Sequence, residues 1–440
     1  MLPHHHRLLA TAATALALFL VSSEAAAQDL TLDEAIRLAL ETNERAEIAK
    51  LEIEAAEGDL ETARSEFLPT LVLGASVTAR PPRGRASEDR TPPVVTGAGT
   101  LTLRQPLLNP SALPLYRRAG HALKAAQYGA TEARSVLAYD TSRAFVHALA
   151  AEWVLRAAEA RRDRAKANLD NAQARAEAQL NSSNDATRAR LDMASAMRDV
   201  AQSQGTVERG RLDLRLLIGR DVRGALAAPD QLSRAAESFA GEAARLKRVA
   251  LDQRPDVKAR REQTLAFREA AAEPHYRLVP SIDLVGQLQV SPDPFPEESW
   301  HDESVSIQLS WTLYDGGTRY GVHRTRAAQA ASAALEERQL SRSVDTDVRT
   351  ALVALDSARA TLRVAETAIA TAHANSEETE VLYQQGLARV IELTDANSRR
   401  FEAEVNLASA KLDVIEAYLQ VRFAQGLPPV DAAPGAGARQ

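Results

Sequence analysis

Glu392 and Asp395 stand at i and i+3 on one face of a helical run. Carboxylates held this close repel one another, favour cations and share protons. The same spacing also suits a solvated face near a helix N-terminus, where the helix dipole favours acids. The residues alone leave both readings open, and the first needs several copies of the pair around a narrow passage. The pair lies in the stretch Tyr383-Gln384-Gln385-Gly386-Leu387-Ala388-Arg389-Val390-Ile391-Glu392-Leu393-Thr394-Asp395. Long helical runs flank it, from about Thr318 to Gln384 and from about Val390 to Arg422. Gly386 takes the left-handed conformation that ends a helix, so the stretch reads as a hairpin tip or a tight break between helices.

Other chemistry is missing. No His-Glu-x-x-His, P-loop or Gly-x-Ser-x-Gly occurs. The nine histidines are scattered, with His121, His147 and His373 isolated in helical runs. No cofactor, metal site or catalysis is expected. The 440 residues are 25% charged and only 4% aromatic, which argues against a large conventional enzyme core. A net charge of −6 gives no support for nucleic-acid binding.

The elements that position the tip are long. His4-His5-His6-Arg7, the apolar Leu8 to Val21 and Ala25-Ala26-Ala27 read as a secretory signal over 1–27. A membrane anchor is the competing reading, against which the short apolar run counts. Cysteine is absent, which fits export to a Gram-negative envelope without disulfides. After the signal no run of 18 apolar residues occurs, so any membrane crossing must use strands.

The chain repeats itself. Leu40-Glu41-Thr42-Asn43 lines up with Leu251-Asp252-Gln253-Arg254, and Leu68-Pro69-Thr70-Leu71 with Val279-Pro280-Ser281-Ile282, at one shared offset. Gln105-Pro106-Leu107-Leu108-Asn109-Pro110 matches Trp311-Thr312-Leu313-Tyr314-Asp315-Gly316 at a slightly smaller one. A period near about 200 residues is an internal duplication. The expected organisation is a first repeat over 28–219, a connector over 220–244, a second repeat over 245–426 and a disordered tail over 427–440. Each repeat reads helix, strand, strand, very long helix, helix.

The first helix is expected from Thr31, its N-cap, to about Phe67. Val305, Ile307, Leu309, Trp311 and Leu313 alternate with polar residues, as do Ile282, Leu284, Leu288 and Val290. Leu71, Leu73 and Val77, and Leu101 and Leu103, give two more strands. Each has the length of a tilted transmembrane strand. Four strands cannot close a barrel, and an open edge in lipid leaves backbone groups unpaired. Other copies of the chain must complete the sheet, or it is soluble with one wet face. Three copies would give a twelve-stranded barrel.

From Ala130 onward nothing breaks the helix before Asn181-Ser182-Ser183-Asn184; the whole run from 110 to 180 would span about 105 Å. In the second repeat Leu355, Leu362 and Ile369, with Ala351, Ala358, Ala365 and Ala372, make a heptad seam for closely packed helices. In the first, Ala160, Ala167 and Ala174 stand seven apart. A structural or adaptor coiled-coil protein of the periplasm is the alternative these helices leave open, and four membrane-length strands count against it.

The duplicated unit, the Leu-Pro entry into strands, the exit Leu313-Tyr314-Asp315-Gly316-Gly317, and Tyr383-x-x-Gly386 followed by Glu392-Leu393-x-Asp395-Ala396 together resemble the TolC-like outer membrane efflux protein family. The resemblance covers about Leu30 to Leu427. It implies a mainly α fold with a small β part: a homotrimer whose coiled-coil helices form a periplasmic α-barrel and whose strands form a transmembrane β-barrel in outer membrane lipid. It implies a passive exit duct for an inner membrane pump of RND or ABC type, joined through a periplasmic adaptor. It also implies a gate at the periplasmic tip, held around a tyrosine, an arginine and acids. Tyr383 matches the tyrosine, Glu392 and Asp395 the acids of the second hairpin, and Asp185 the acid of the first; Gly386 matches the turn. In three copies Glu392 and Asp395 would make stacked acidic rings. Ala388 stands at the arginine position, and Gln179-Leu180 where the first hairpin would carry Gly-Leu. Trp311 and Tyr314 at a strand end, and Trp300 in a loop, could sit in an aromatic girdle at the bilayer interface; a buried aromatic is the other reading.

Overall fold

The computed structural model describes residues 29–80, 94–180, 182–290 and 301–430. The expected signal segment, Trp300, the tips of both strand-connecting loops and the end of the tail lie outside them. In chain order the elements are α1 (Leu32–Thr42), α2 (Glu44–Ser65), β1 (Thr70–Arg80), β2 (Val94–Leu108), α3 (Ala112–Glu177), α4 (Ser183–Ile218), α5 (Asp230–Ser238), α6 (Ala243–Gln253), α7 (Pro255–Tyr276), β3 (Ser281–Val290), β4 (His301–Ser310), α8 (Thr318–Gln384) and α9 (Val390–Ala424). No described helix is long and apolar enough to cross a membrane.

Thr31 caps α1, accepting the Glu34 amide at 3.3 Å. The expected single helix to Phe67 is broken in two at Asn43, because that side chain takes over local backbone bonding. Asn43 Oδ1 accepts the Arg45 amide at 3.0 Å, starting α2, while Nδ2 donates to the Leu217 carbonyl at 3.0 Å. Thr42 Oγ1 donates to the Ile218 carbonyl at 2.9 Å. The break thus caps the carbonyls that α4 leaves open at its C-terminus.

The contacts divide the chain into two compact units, one of residues 47–134 and 247–347 and one of the remainder. The first holds the sheet, in order β1-β2-β3-β4, all antiparallel. Leu73 opposes Leu101, Leu103 opposes Gly286, and Leu284 opposes Ile307. Among the described residues β1 and β4 each have a single neighbour, so both edges are open. Leu73 and Val77 are each 78% exposed, and Val305 is 79% exposed. On the polar side Arg104 pairs with Asp283 at 2.7 Å. β4 ends at Ser310, short of the expected Leu313. Asp315 then builds the start of α8: its carboxylate accepts the Gly317 and Arg319 amides at 3.0 and 2.9 Å. Gly316 and Gly317 supply the positive φ of 68° and 89° that turns the chain there.

The other unit is built on residues 135–177 of α3 and 348–384 of α8 with α1, α4, α5 and α9. Phe145, Leu137, Leu149, Leu214, Leu355, Leu393 and Leu419 are fully enclosed in its core. α3 and α8 are 66 and 67 residues long, each about 100 Å at helical rise. Ala351, Leu355, Leu362 and Ala365 are buried as the heptad requires. In the first repeat the expected phase is corrected. Ala160, Ala167 and Ala174 are exposed in this chain, and the buried seam is Ala151, Ala158, Ala165 and Ala172. Alanine fills both stripes, and only the helices packed against α3 select between them.

Candidate functional site

α3 and α8 end in the same way. At the first tip the Leu180 amide donates to the Arg175 carbonyl at 2.9 Å and the Gln179 amide to the Ala176 carbonyl at 3.0 Å. At the second, Leu387 donates to Leu382 at 2.8 Å and Gly386 to Tyr383 at 3.0 Å. Both are Schellman closures, which need one residue in the left-handed region. Gly386 supplies it with φ 76°, and Gln179 does so with φ 59°, the one non-glycine at positive φ among the described residues. The duplication therefore preserves the turn while changing the residue that makes it. Leu180 and Leu387 project from the two turns, 75% and 73% exposed.

Tyr383 does not line an open surface. It is 3% exposed and packs with Ala172 of α3, Ala189 of α4 and Val390 and Leu393 of α9. Its hydroxyl is enclosed with no hydrogen-bond partner among the described residues. Burial raises its pKa; the half-buried Asp185 nearby pushes it up further and Arg175 opposes. Asp185 lies in the first turn of α4, after the N-cap Ser182, whose hydroxyl accepts the Asn184 amide at 3.2 Å.

The two acids of the second hairpin are occupied locally. Glu392 Oε2 accepts the Arg389 amide at 3.2 Å and its Oε1 meets Arg389 Nε at 3.3 Å, so the carboxylate caps the N-cap amide at the start of α9. Asp395 pairs with Arg399 at 3.0 Å and remains 61% exposed at its side chain. They share a face as the spacing requires; Glu392 is balanced by the N-cap Arg389 and Asp395 by Arg399 of the same helix.

Sequence reasoning missed the cation of this site. Ala388 packs against the Tyr383 cluster and carries no charge. Arg175, in the last turn of α3, donates from Nη1 to the Tyr383 carbonyl at 3.0 Å and from Nη2 to the Gln384 carbonyl at 2.8 Å. Its guanidinium carbon lies 4.8 Å from the Tyr383 ring centroid. A cation there meets the negative end of the α8 dipole and two carbonyls of its last turn, of which that of Tyr383 also accepts the Gly386 amide. A signal was available: Arg175 is the basic residue of the last turn of α3.

Higher on the same face of α3, Arg161 is 8% exposed. It bonds Asp192, at 3.1 Å, and Asp199 on α4, reaches Ser398 Oγ on α9 at 3.4 Å and lies over the Phe401 ring. Burial raises the pKa of Asp192, and Arg161 opposes. Breaking an enclosed ion pair of this kind costs about 3–5 kcal/mol, because the partner charge is left buried. Of the expected interface aromatics, Trp311 is 55% exposed and donates to the Leu278 carbonyl at 2.9 Å, and Tyr314 is 85% exposed. Both lie past the end of β4.

The profile of the family described as outer membrane efflux protein matches this chain twice, over residues 35–220 and 246–427. The chain belongs to the outer membrane efflux protein family. It is a TolC-like outer membrane protein, mainly helical with a small four-stranded sheet and a duplicated unit. Over 129 residues it is 29% identical to the outer membrane protein TolC of Vibrio cholerae, covering 29% of this chain and 30% of that one; the match thus spans under a third of that relative. Among solved structures, CusC, described in terms of folding and transmembrane channel formation, superposes with a TM-score of 0.81 at 16% identity, covering 91% of this chain and 93% of that one. VceC of Vibrio cholerae gives 0.75 at 17% identity, over 91% and 97%. At such identities the superpositions show the fold alone. The family match favours the outer membrane channel over the periplasmic adaptor reading.

Proposed function

We propose that this efflux family member is the passive outer membrane exit duct of a tripartite efflux or type I secretion system, working as a homotrimer. The open-edged, apolar-faced sheet carries the reading. Large apolar side chains such as Leu73, Val77, Val305 and Ile307 stand exposed, and each costs about 1.5–3 kcal/mol to leave in water. Lipid removes that cost on the apolar face. Lipid also forbids unpaired edges, so β1 of one copy must meet β4 of the next. Three copies close a twelve-stranded barrel with Arg104 and Asp283 inside. Trp311 and Tyr314 then mark the bilayer interface.

On this reading residues 28–219 and 245–426 are the two repeats and 220–244 their connector. The gate is the paired helical tip, with Asp185, Tyr383, Gly386, Glu392 and Asp395. The partners are a periplasmic adaptor and an inner membrane pump, which set the cargo. The test is the mass of the detergent-purified protein together with bilayer conductance. A three-chain assembly that conducts in discrete steps is expected. A monomer that does not conduct would overturn the reading.

A further inference from the structure

Three arginines and two carboxylates meet where β3 and β4 join the helices. Glu273, buried on α7, takes Arg277 Nε at 2.6 Å on one oxygen and Arg326 Nη1 of α8 at 2.5 Å on the other. Arg326 alone neutralises that carboxylate, and it also donates to the Ala270 carbonyl at 3.1 Å. Arg319, itself buried, is answered by Asp315 at 3.1 Å, whose oxygens are taken up by that contact and by the Gly317 and Arg319 amides. Arg277 therefore carries a positive charge that no carboxylate of this cluster balances. Its side chain is half-exposed, and its two Nη groups make no hydrogen bond among the described residues.

Arg277 borders a cavity of about 340 Å³, lined also by Tyr276, Ser281, Ser310, Thr312 and Arg319. That is the small end of the range for ligand pockets, and the named lining is hydroxyl and guanidinium. Ser281 and Ser310 oppose one another in the register, and alternation places them on the side of the sheet that carries Asp283 and Gln308. The cavity thus lies on the polar side, away from the apolar face of Ile307 and Leu309.

We propose that this cavity binds a small oxyanion, a phosphate or the phosphate end of an organic molecule, with Arg277 as its principal ligand. A guanidinium fork matches two oxygens of such a group. The surrounding hydroxyls can donate to the others. Asp315 also borders the cavity, but Arg319 and two amides already engage its charge. Lipid covers the other face of the sheet, so the ligand comes from the water of the passage and not from a lipid headgroup. That source rests on the duct reading; the binding itself does not.

The experiment titrates full-length, detergent-purified wild type, Arg277→Gln, Arg277→Lys and Ser281→Leu into inorganic phosphate and, separately, phenyl phosphate at fixed ionic strength. The phosphorus NMR line width of the probe is read, with thermal melting and co-purified phospholipid measured for each protein. Wild type is expected to broaden both lines saturably. Arg277→Gln should weaken binding by about tenfold or more, the loss of a charged hydrogen-bonding partner. Lysine keeps the charge without the fork and should fall between the two. Ser281→Leu fills the cavity with every charge in place and should also weaken binding; with Arg277→Lys it decides the matter if Arg277→Gln fails to fold. Phosphate binding unchanged in Arg277→Gln overturns the site, and a lowered melting temperature beside it would make Arg277 only a structural partner of Glu273. Phospholipid lost from Arg277→Gln while wild type leaves both probe lines sharp overturns it as well. A conducting three-chain assembly without phosphate binding overturns the site alone, whereas a monomer that binds phosphate and does not conduct overturns the duct and keeps the site.

Discussion

Tyr383 works through its ring. The hydroxyl is enclosed and has no hydrogen-bond partner among the described residues, so Tyr383→Phe removes a desolvated group without losing a bond. It should change stability by less than about 0.5 kcal/mol. Tyr383→Ala deletes the ring that fills the cluster between α3, α4 and α9 and should cost about 3–5 kcal/mol. Denaturant midpoints of the two variants check this; equal losses would mean that the hydroxyl matters. A second residue-scale device sits elsewhere on α3 and α9. Glu416 takes Arg143 at 2.7 Å and His147 at 3.2 Å. The His147 hydrogen bond, with that of Arg143, holds its pKa down at about 2 against burial, and the same bond raises that of His147. Asp413, Asp140 and Tyr139 also face this group. The depressed Glu416 adds stability that is lost as pH falls below its unfolded value. The raised His147 adds stability that is lost as pH rises through its folded value. Glu416→Gln should therefore destabilise most between about pH 4.5 and 6.5. With both partners partly exposed, about 1–2 kcal/mol is expected from melting at several pH values.

At the scale of elements, the two tips share one backbone solution and differ in the residue that fits it. Gln179→Gly should be neutral or stabilising by up to about 1 kcal/mol, because glycine relieves the left-handed position. Gly386→Ala meets no steric neighbour, so its cost is conformational alone, about 1 kcal/mol. Thermal melting of both variants reads the asymmetry, and a destabilising Gln179→Gly would contradict it. The same comparison shows why some elements were legible and others were not. The limits of α8 and the start of α9 followed from Gly386 and from long unbroken runs. β3 followed from alternation of Ile282, Leu284, Leu288 and Val290 with polar residues, interrupted only at Val285 and Gly286, between Pro280 and the polar loop. The break at Asn43 was missed because its local bond to the Arg45 amide competes with an otherwise continuous helical run, and its anchor at Leu217 is far along the chain. The phase of the α3 seam was hidden because alanine occupies both stripes. Arg175 carried only the weak signal of a basic residue in the last turn of α3, and its partners are carbonyls far along the chain.

For the whole molecule, the fold class and the duplication were carried by period and motif, and the family profile matches both copies. The mechanism was less legible, since it depends on how tips meet rather than on which residues they carry. The proposal to test is that the tip bearing Glu392 and Asp395 is the narrow end of a conducting duct, whose cargo the partners set. Glu392→Gln with Asp395→Asn removes both charges while keeping an acceptor for the Arg389 amide at the start of α9. The decisive measurement is single-channel conductance and the cation-to-anion permeability ratio of this double variant beside wild type. The account predicts a cation-preferring wild type and a variant that loses that preference with altered conductance. Unchanged conductance and an unchanged cation preference would contradict it.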